Sequence, residues 1–291
     1  MRFFPPVALL WMLAPALVLM AVFFVWPLGQ AAWMSTLDYR LSLSQPTFVG
    51  WHNYAALLQN SEFLTAVVNT LAMGALMLPP MVVVPLLMAL LLNGTSWPFQ
   101  LARTVVYIPV ITSMVVVGLA WKWLYAREGL INQWLHSALG WPPIDWLVST
   151  QWALGAVAVV VVWKGLAYYM MMYLSQLQGI PTEVYEAARL DGASVWRQHW
   201  HITVPYLRPM GAFVLLISTI GTLKLFTEIY VLTNGGPLNA TLTWVYFVYR
   251  RAFEYLDLGT ACAAGLLLMV ALAGLSWCQW QWSRADDEVA A

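Results

Sequence analysis

This sequence predicts an all-α, polytopic transmembrane helical bundle, and three observations carry the prediction. Of its 291 residues, 62% are hydrophobic and only 9% are charged, where a soluble domain carries about 25% charged residues. The mean hydropathy is +0.71. The apolar residues gather into six runs, each near the roughly 20 residues that cross a bilayer as helix. One transmembrane domain, residues 1–291, accounts for the whole chain.

The first run, about residues 7–27, follows Arg2 and precedes Ala31-Ala32, as a secretory signal would. It is long for a signal core and further spans follow, so it reads as a retained first helix. The second and third spans, about 64–92 and 101–124, contain Pro79, Pro80, Pro85 and Pro109. Prolines kink membrane helices and are tolerated where neighbours or water satisfy the freed carbonyls. Trp121, Trp123 and Tyr125 close the third span as an interfacial aromatic belt. The fourth span is about 152–177; the fifth, about 206–232, stops at Thr233-Asn234-Gly235-Gly236-Pro237, which favours a turn. The sixth is about 259–282, and the tail Arg284 to Glu288 is too short for a domain. With both termini inside, Arg2, Arg103, Arg189, Arg197, Arg208 and Arg284 lie inside, and Arg40, Arg127, Arg250 and Arg251 outside. This bias agrees with cytoplasmic termini.

Composition excludes several functions. The formal net charge is zero, so the basic field that nucleic-acid binding needs is absent. Cys262 and Cys278 share the last apolar run, where they suit packing better than a disulfide or metal site. A P-loop needs Gly-Lys followed by Ser or Thr; Lys122, Lys164 and Lys224 follow Trp121, Trp163 and Leu223. There is no His/Glu metal helix, Gly-x-Ser-x-Gly elbow or paired-carboxylate cluster, and His52, His136, His199 and His201 fall in loops or the polar segment. The chain reads as a non-enzyme.

Residues 180–205 form the longest polar interruption, and they read as two short helices around a turn. Pro181 suits a first helical position, with Glu183 in the first turn against the positive end of the dipole. Gly192 suits the left-handed residue that ends such a helix, and Ser194 the cap of the next. Ala187, Ala188 and Ala193 keep the surface low, while Glu186, Arg189, Asp191 and Arg197 set charges at its edges. Such a knob is either a docking surface or a solvated loop between two membrane helices.

Glu186-Ala187-Ala188, then Asp191-Gly192-Ala193, then Ile202 and Pro205, resemble the EAA motif of ABC importer permeases. Thr233-x-Gly-Gly-Pro resembles a segment of the carbohydrate-uptake class, which includes maltose, glycerol-phosphate and lactose permeases. The connections holding Phe48 to Tyr54, Gly129 to Asn132 and Ile144 to Leu147 are similar to that class's external loops. The resemblance implies a type I ABC importer permease fold in a bacterial inner membrane. It also implies a second permease subunit, two ATPase subunits that hold ATP and Mg, an external solute-binding protein, and no cofactor in this chain. Glu186 and Asp191 would then meet or orient the ATPase, with residues 180–205 cytoplasmic.

Ionisable groups inside a membrane by default suggest function. Lys164 lies in the fourth span without a charge partner there, whereas Lys224 and Glu228 are four residues apart on one expected helical face and can neutralise one another. Val161, Lys164, Gly165 and Tyr168 recur at helical spacing, as do Ser218, Gly221, Thr222 and Leu225. Small-residue stripes also serve helix packing. Trp163, Tyr168, Tyr169 and Tyr173 offer π surfaces to the C–H face of a sugar. The resemblance places Gly165 and Tyr168 where maltose-type importers hold sugar at midplane, but Thr222 and Leu225 stand where amides do. That departure argues against maltose. The expected solute is a sugar-like small molecule, with an anionic solute such as glycerol phosphate as the alternative that Lys164 favours. A proton-coupled secondary transporter and a membrane scaffold are the rivals from other classes.

Overall fold

The computed structural model describes residues 6–41 and 45–290, with side chains described from Met12 to Trp282 apart from the internal gap. Arg2 and the side chain of Arg284 lie outside the described residues. Among the described residues, five helices are long and apolar enough to cross a membrane, and the bent pair Trp97–Ile111 and Met114–Leu124 supplies a sixth crossing if it is one span. The chain divides into two compact units, one comprising residues up to Leu64 with Phe247–Val270, the other Thr65–Tyr246 with residues from Ala271 onward.

In the first unit, α1 (Pro6–Met20) passes through a π turn, Ala21–Val25, into α2 (Trp26–Met34). The expected span ended near Pro27, but the helix runs to Met34. A proline ring collides with the carbonyl four residues back, and the wider π turn just ahead of Pro27 makes room for it. A small hairpin follows, β1 (Leu37–Asp38) against β2 (Thr47–Phe48), with Leu37 opposite Phe48. This is a minor departure from the all-α expectation. The hairpin is pinned by buried Asn53, on α3 (His52–Gln59), whose amide donates to the Ser35 and Leu37 carbonyls at 2.8 Å each. α4 (Ser61–Leu91) begins here with Glu62, which accepts from Arg251 at 2.8 Å and pairs with Arg250 at 3.1 Å. Burial works against the Arg250 charge, but Glu62, Tyr255 and Glu254 more than offset it, so its pKa lies above the usual arginine value.

The second unit packs around α8 (Ala153–Leu177), which buries Ala156, Val157, Val160, Ala167, Met170, Tyr173 and Leu174. α5 (Trp97–Ile111) and α11 (Val204–Leu223) lie against it. Arg103 on α5 donates to the Leu92 carbonyl at 2.9 Å and to that of Gly94 at 2.7 Å, closing the end of α4. Between α6 (Met114–Leu124) and α8, α7 (Leu130–Leu139) forms a short helix around Asn132, whose amide donates to the Ile144 carbonyl at 2.9 Å.

Two expected spans prove to be broken. The third bends by 97° between α5 and α6, because Pro109 weakens the last turn and Thr112 is extended, at ψ 137°. The fifth stops at Leu223 and restarts as α12 (Thr227–Leu232), with Phe226 at φ −134° between them. Lys224 and Glu228 therefore do not share a helical face, and among the described residues they form no ion pair. Thr243 takes up one freed carbonyl, donating to that of Leu225 at 2.9 Å. α12 packs on α6 at Gly118, where an added Cβ would run into the Val231 side chain.

Gly259 sits where a Cβ would strike the Leu37 carbonyl, and its N–H donates to the Tyr39 carbonyl at 3.1 Å. Gly259→Ala is expected to cost about 1–3 kcal/mol through this backbone collision. It should lower the thermal unfolding midpoint of the purified protein; an unchanged midpoint would contradict the close approach.

Candidate functional site

A cavity of about 410 Å³ lies within the second unit. α8 contributes Val161, Lys164, Gly165, Tyr168 and Tyr169; α11 contributes Ser218, Gly221 and Thr222; and the break after α11 contributes Lys224, Leu225 and Phe226. Met77 and Met81 from α4, Val110 from α5, and Thr227 and Glu228 from α12 complete the wall. The seven residues singled out from the sequence, Lys164, Gly165, Tyr168, Ser218, Gly221, Thr222 and Leu225, thus share one cavity. Of the four aromatic candidates only Tyr168 and Tyr169 line it, packed edge to face at 5.4 Å. Trp163 instead meets Trp121 edge to face at 5.4 Å, and Tyr173 is buried away from the cavity.

The polar groups on this wall differ in how they are satisfied. Ser218 is spent within its helix, its hydroxyl donating to the Val214 carbonyl at 2.7 Å. Thr222 is only 2% exposed, yet its hydroxyl has no hydrogen-bond partner among the described residues. Lys164 is half-buried, and its ammonium donates to the Val110 carbonyl at 3.4 Å. In an unbroken helix that carbonyl would pair with the Met114 N–H; the bend leaves it to Lys164. Gly221 faces open space, with nothing within 4 Å of an added Cβ. Gly165 is tighter, since a Cβ there would lie 3.4 Å from the Tyr169 ring and 3.5 Å from Met81.

The second candidate site is the polar segment. It folds as α9 (Thr182–Leu190) and α10 (Val195–Gln198), followed by a π turn, His199–Thr203, that continues into α11. Pro181 is the N-cap rather than the first helical residue, at φ −58° and ψ 135°, and Glu183 occupies the first turn. Gly192 is left-handed at φ +75°. Its N–H donates to the Arg189 carbonyl at 3.0 Å and that of Ala193 to the Ala188 carbonyl at 2.9 Å, the paired bonds of a Schellman turn. Ser194 caps α10 by accepting from the Arg197 N–H at 3.4 Å.

Glu186, Ala187, Asp191 and Gly192 are exposed on this knob, with Ala188 and Ala193 half-buried at its base. Among the described residues, Glu186, Arg189, Asp191 and Arg197 form no ion pair. Ile202 and Pro205 lie elsewhere. Ile202 packs beneath the knob against Leu177, Ile180 and Leu207. Pro205 is exposed in the continuous helix Val195–Leu223, so the fifth span starts well before residue 206.

Residues 54–279 match the family described as binding-protein-dependent transport system inner membrane component. The chain belongs to this family. It is similar to the lactose transport system permease protein LacF of Rhizobium radiobacter, 31% identical over 277 residues that cover 93% of this chain and 92% of that one. It is 33% identical over 271 residues to the sn-glycerol-3-phosphate transport system permease protein UgpA of Yersinia pestis, covering 92% and 90%. The fold resembles that in the crystal structure of a bacterial ABC transporter involved in the import of the acidic polysaccharide alginate. That likeness has a TM-score of 0.83 at 24% identity, over 96% of this chain and 95% of the other. These relatives are permeases, not enzymes, and this chain is a multi-pass inner membrane permease of an ABC transporter of the carbohydrate-uptake type.

Sequence reasoning passed over several residues on this permease's cavity wall. Met77, Met81 and Val110 carry no polar signal in an apolar span, and Phe226 and Thr227 reach the wall only because the fifth span breaks. Burying a hydroxyl without a partner costs about 1–3 kcal/mol. Thr222→Val, which removes it at nearly constant volume, is expected to leave the unfolding midpoint of the permease unchanged or higher. A lowered midpoint would contradict an unsatisfied hydroxyl.

Proposed function

We propose that this permease carries a sugar or related small polar solute into the cytoplasm as one half of the membrane portion of a binding-protein-dependent importer. The observation that carries the reading is the cavity: Tyr168 and Tyr169 bring aromatic rings, and Lys164, Thr227 and Glu228 polar groups, to one wall. A sugar asks for both, a π surface for its C–H face and polar partners for its hydroxyls. The relatives named for lactose and glycerol phosphate support this solute range.

In this reading the permease pairs with a second, related permease, two ATPase subunits that hold ATP and Mg, and an external solute-binding protein. The knob, Glu186 to Ala193, meets an ATPase on the cytoplasmic side, with both termini on that side. Its low alanines admit the partner backbone, while Glu186 and Asp191 offer unpaired carboxylates to orient it. ATP-driven closure moves the knob. Since α8 ends just before the knob and α11 continues from it, the motion reaches the two helices that carry most of the cavity wall.

Uptake and ATPase activity in liposomes test this, with the permease alone and with its partner permease, ATPase and binding protein. Activity only in the complete set, dependent on the binding protein, is the expected result; ATP-independent uptake by the permease alone would point to a secondary transporter and overturn the proposal. Gly192→Asp sets a carboxylate on the docking face and should lower binding-protein-stimulated ATPase by about tenfold, a loss of roughly 1.4 kcal/mol of coupling. Tyr168→Ala should slow uptake by a similar factor, since an aromatic contact contributes about 0.5–1.5 kcal/mol beyond its area. Unaltered uptake would place the solute elsewhere.

A further inference from the structure

The charges on the cavity wall go beyond what a neutral sugar requires. Lys164, Lys224 and Glu228 all line it, and the break at Phe226 keeps the last two from sharing a helical face. Among the described residues none of the three has an ion-pair partner, which leaves the wall with one excess positive charge. Lys224 is exposed and solvated; Lys164 is half-buried between spans, where an uncompensated charge is costly. The C-terminal end of α5 offsets part of that cost through its partial negative charge. Yet the ammonium has three donors and spends one, at 3.4 Å, on the Val110 carbonyl.

We infer that the solute carries an anionic group, a carboxylate, sulfonate or phosphate on a polyhydroxylated body, and that Lys164 receives it. The inference rests on the cavity being the solute path. Glu228 and the Thr227 hydroxyl then take the solute's hydroxyl groups, and Tyr168 and Tyr169 its C–H face. On this chain's share of the wall Glu228 is the one carboxylate against two lysines, so a neutral solute would leave an excess positive charge there. If Lys164 serves only to cap the broken third span, its replacement affects stability and leaves the cavity's charge preference unchanged.

The test uses the complete importer with Cys262 and Cys278 replaced by serine and a thiol introduced by Gly221→Cys, a position on the wall that faces open space. Sulfonatoethyl and trimethylammonioethyl methanethiosulfonates are compared, each rate divided by that for free 2-mercaptoethanol. A nearby positive charge should favour the anionic reagent about fivefold or more. In a Lys224→Gln background, which removes the other cation of the wall, Lys164→Gln should abolish the preference and Lys164→Arg should keep it. In uptake, lactose and glycerol 3-phosphate serve as the neutral and anionic probes. Saturable uptake of the anionic probe that falls at least about tenfold in Lys164→Gln, a loss of one discriminating contact, supports the inference. Equal reagent rates, a preference that survives Lys164→Gln, or uptake of the neutral probe alone would overturn it and leave the importer reading standing. Uptake that ignores the ATPase subunits would overturn the importer reading without touching the charge result.

Discussion

A hydrocarbon interior offers no hydrogen-bond partner to a free peptide group, so backbone can leave the helix at membrane depth only where protein or a wet cavity receives it. Two spans of this permease do leave it, at Thr112–Ser113 and at Lys224–Phe226, and both breaks border the same cavity. The freed groups are taken up in different ways. Thr243 binds the Leu225 carbonyl from within the protein, while a lysine from another span reaches the Val110 carbonyl. The breaks also turn Lys224, Thr227 and Glu228 towards the wall. The backbone constraint and the chemistry of the cavity are one arrangement.

The knob obeys a different logic, because its polar groups are mostly satisfied locally. A Schellman turn closes α9, Ser194 opens α10, and Gln198 donates to the Ala193 carbonyl at 2.9 Å. Its footing is tertiary: Tyr185 hydrogen-bonds Thr203 at 2.9 Å, and Leu177, Ile180, Ile202 and Leu207 pack underneath. This footing ties the knob to the end of α8 and the start of α11. The side chains exposed above it, Glu186 and Asp191 among them, make no ion pair within the described chain, and in the proposed assembly they meet the ATPase.

Much of this was legible in the sequence, for physical reasons that also mark where legibility stopped. Spans announce themselves by length and apolarity, and the wall residues of α8 and α11 by spacings of three and four, which the helical period turns to one face. That period alone does not decide the aromatic candidates. Trp163 turns away to pack on Trp121, and Tyr173, four residues beyond Tyr169 and so on its face, is buried one helical turn farther along. The helix breaks left no such trace. Lys224 to Glu228 contains no glycine or proline, and the break is held by contacts from elsewhere in the fold, the packing of α12 on α6 and the carbonyl bond from Thr243. Pairing Lys224 with Glu228 assumed the helix that the fold interrupts. Pro27 and Pro205 misled in the opposite sense, since the π turns ahead of them carry the helix onward.

The wall of α11 changes character within a single turn. Thr222 is sealed at 2% exposure, whereas the adjacent Gly221 faces open space. The cavity therefore has a closed side, where Thr222 and Tyr169 are buried and Lys164 is half-buried, and an open side at Gly221. In the proposed assembly a second permease faces the open side, and the glycine keeps the passage clear where two chains meet. Side-chain chemistry that discriminates between solutes then belongs on the closed side, where burial strengthens each polar contact. That is where Lys164 and Tyr169 are found.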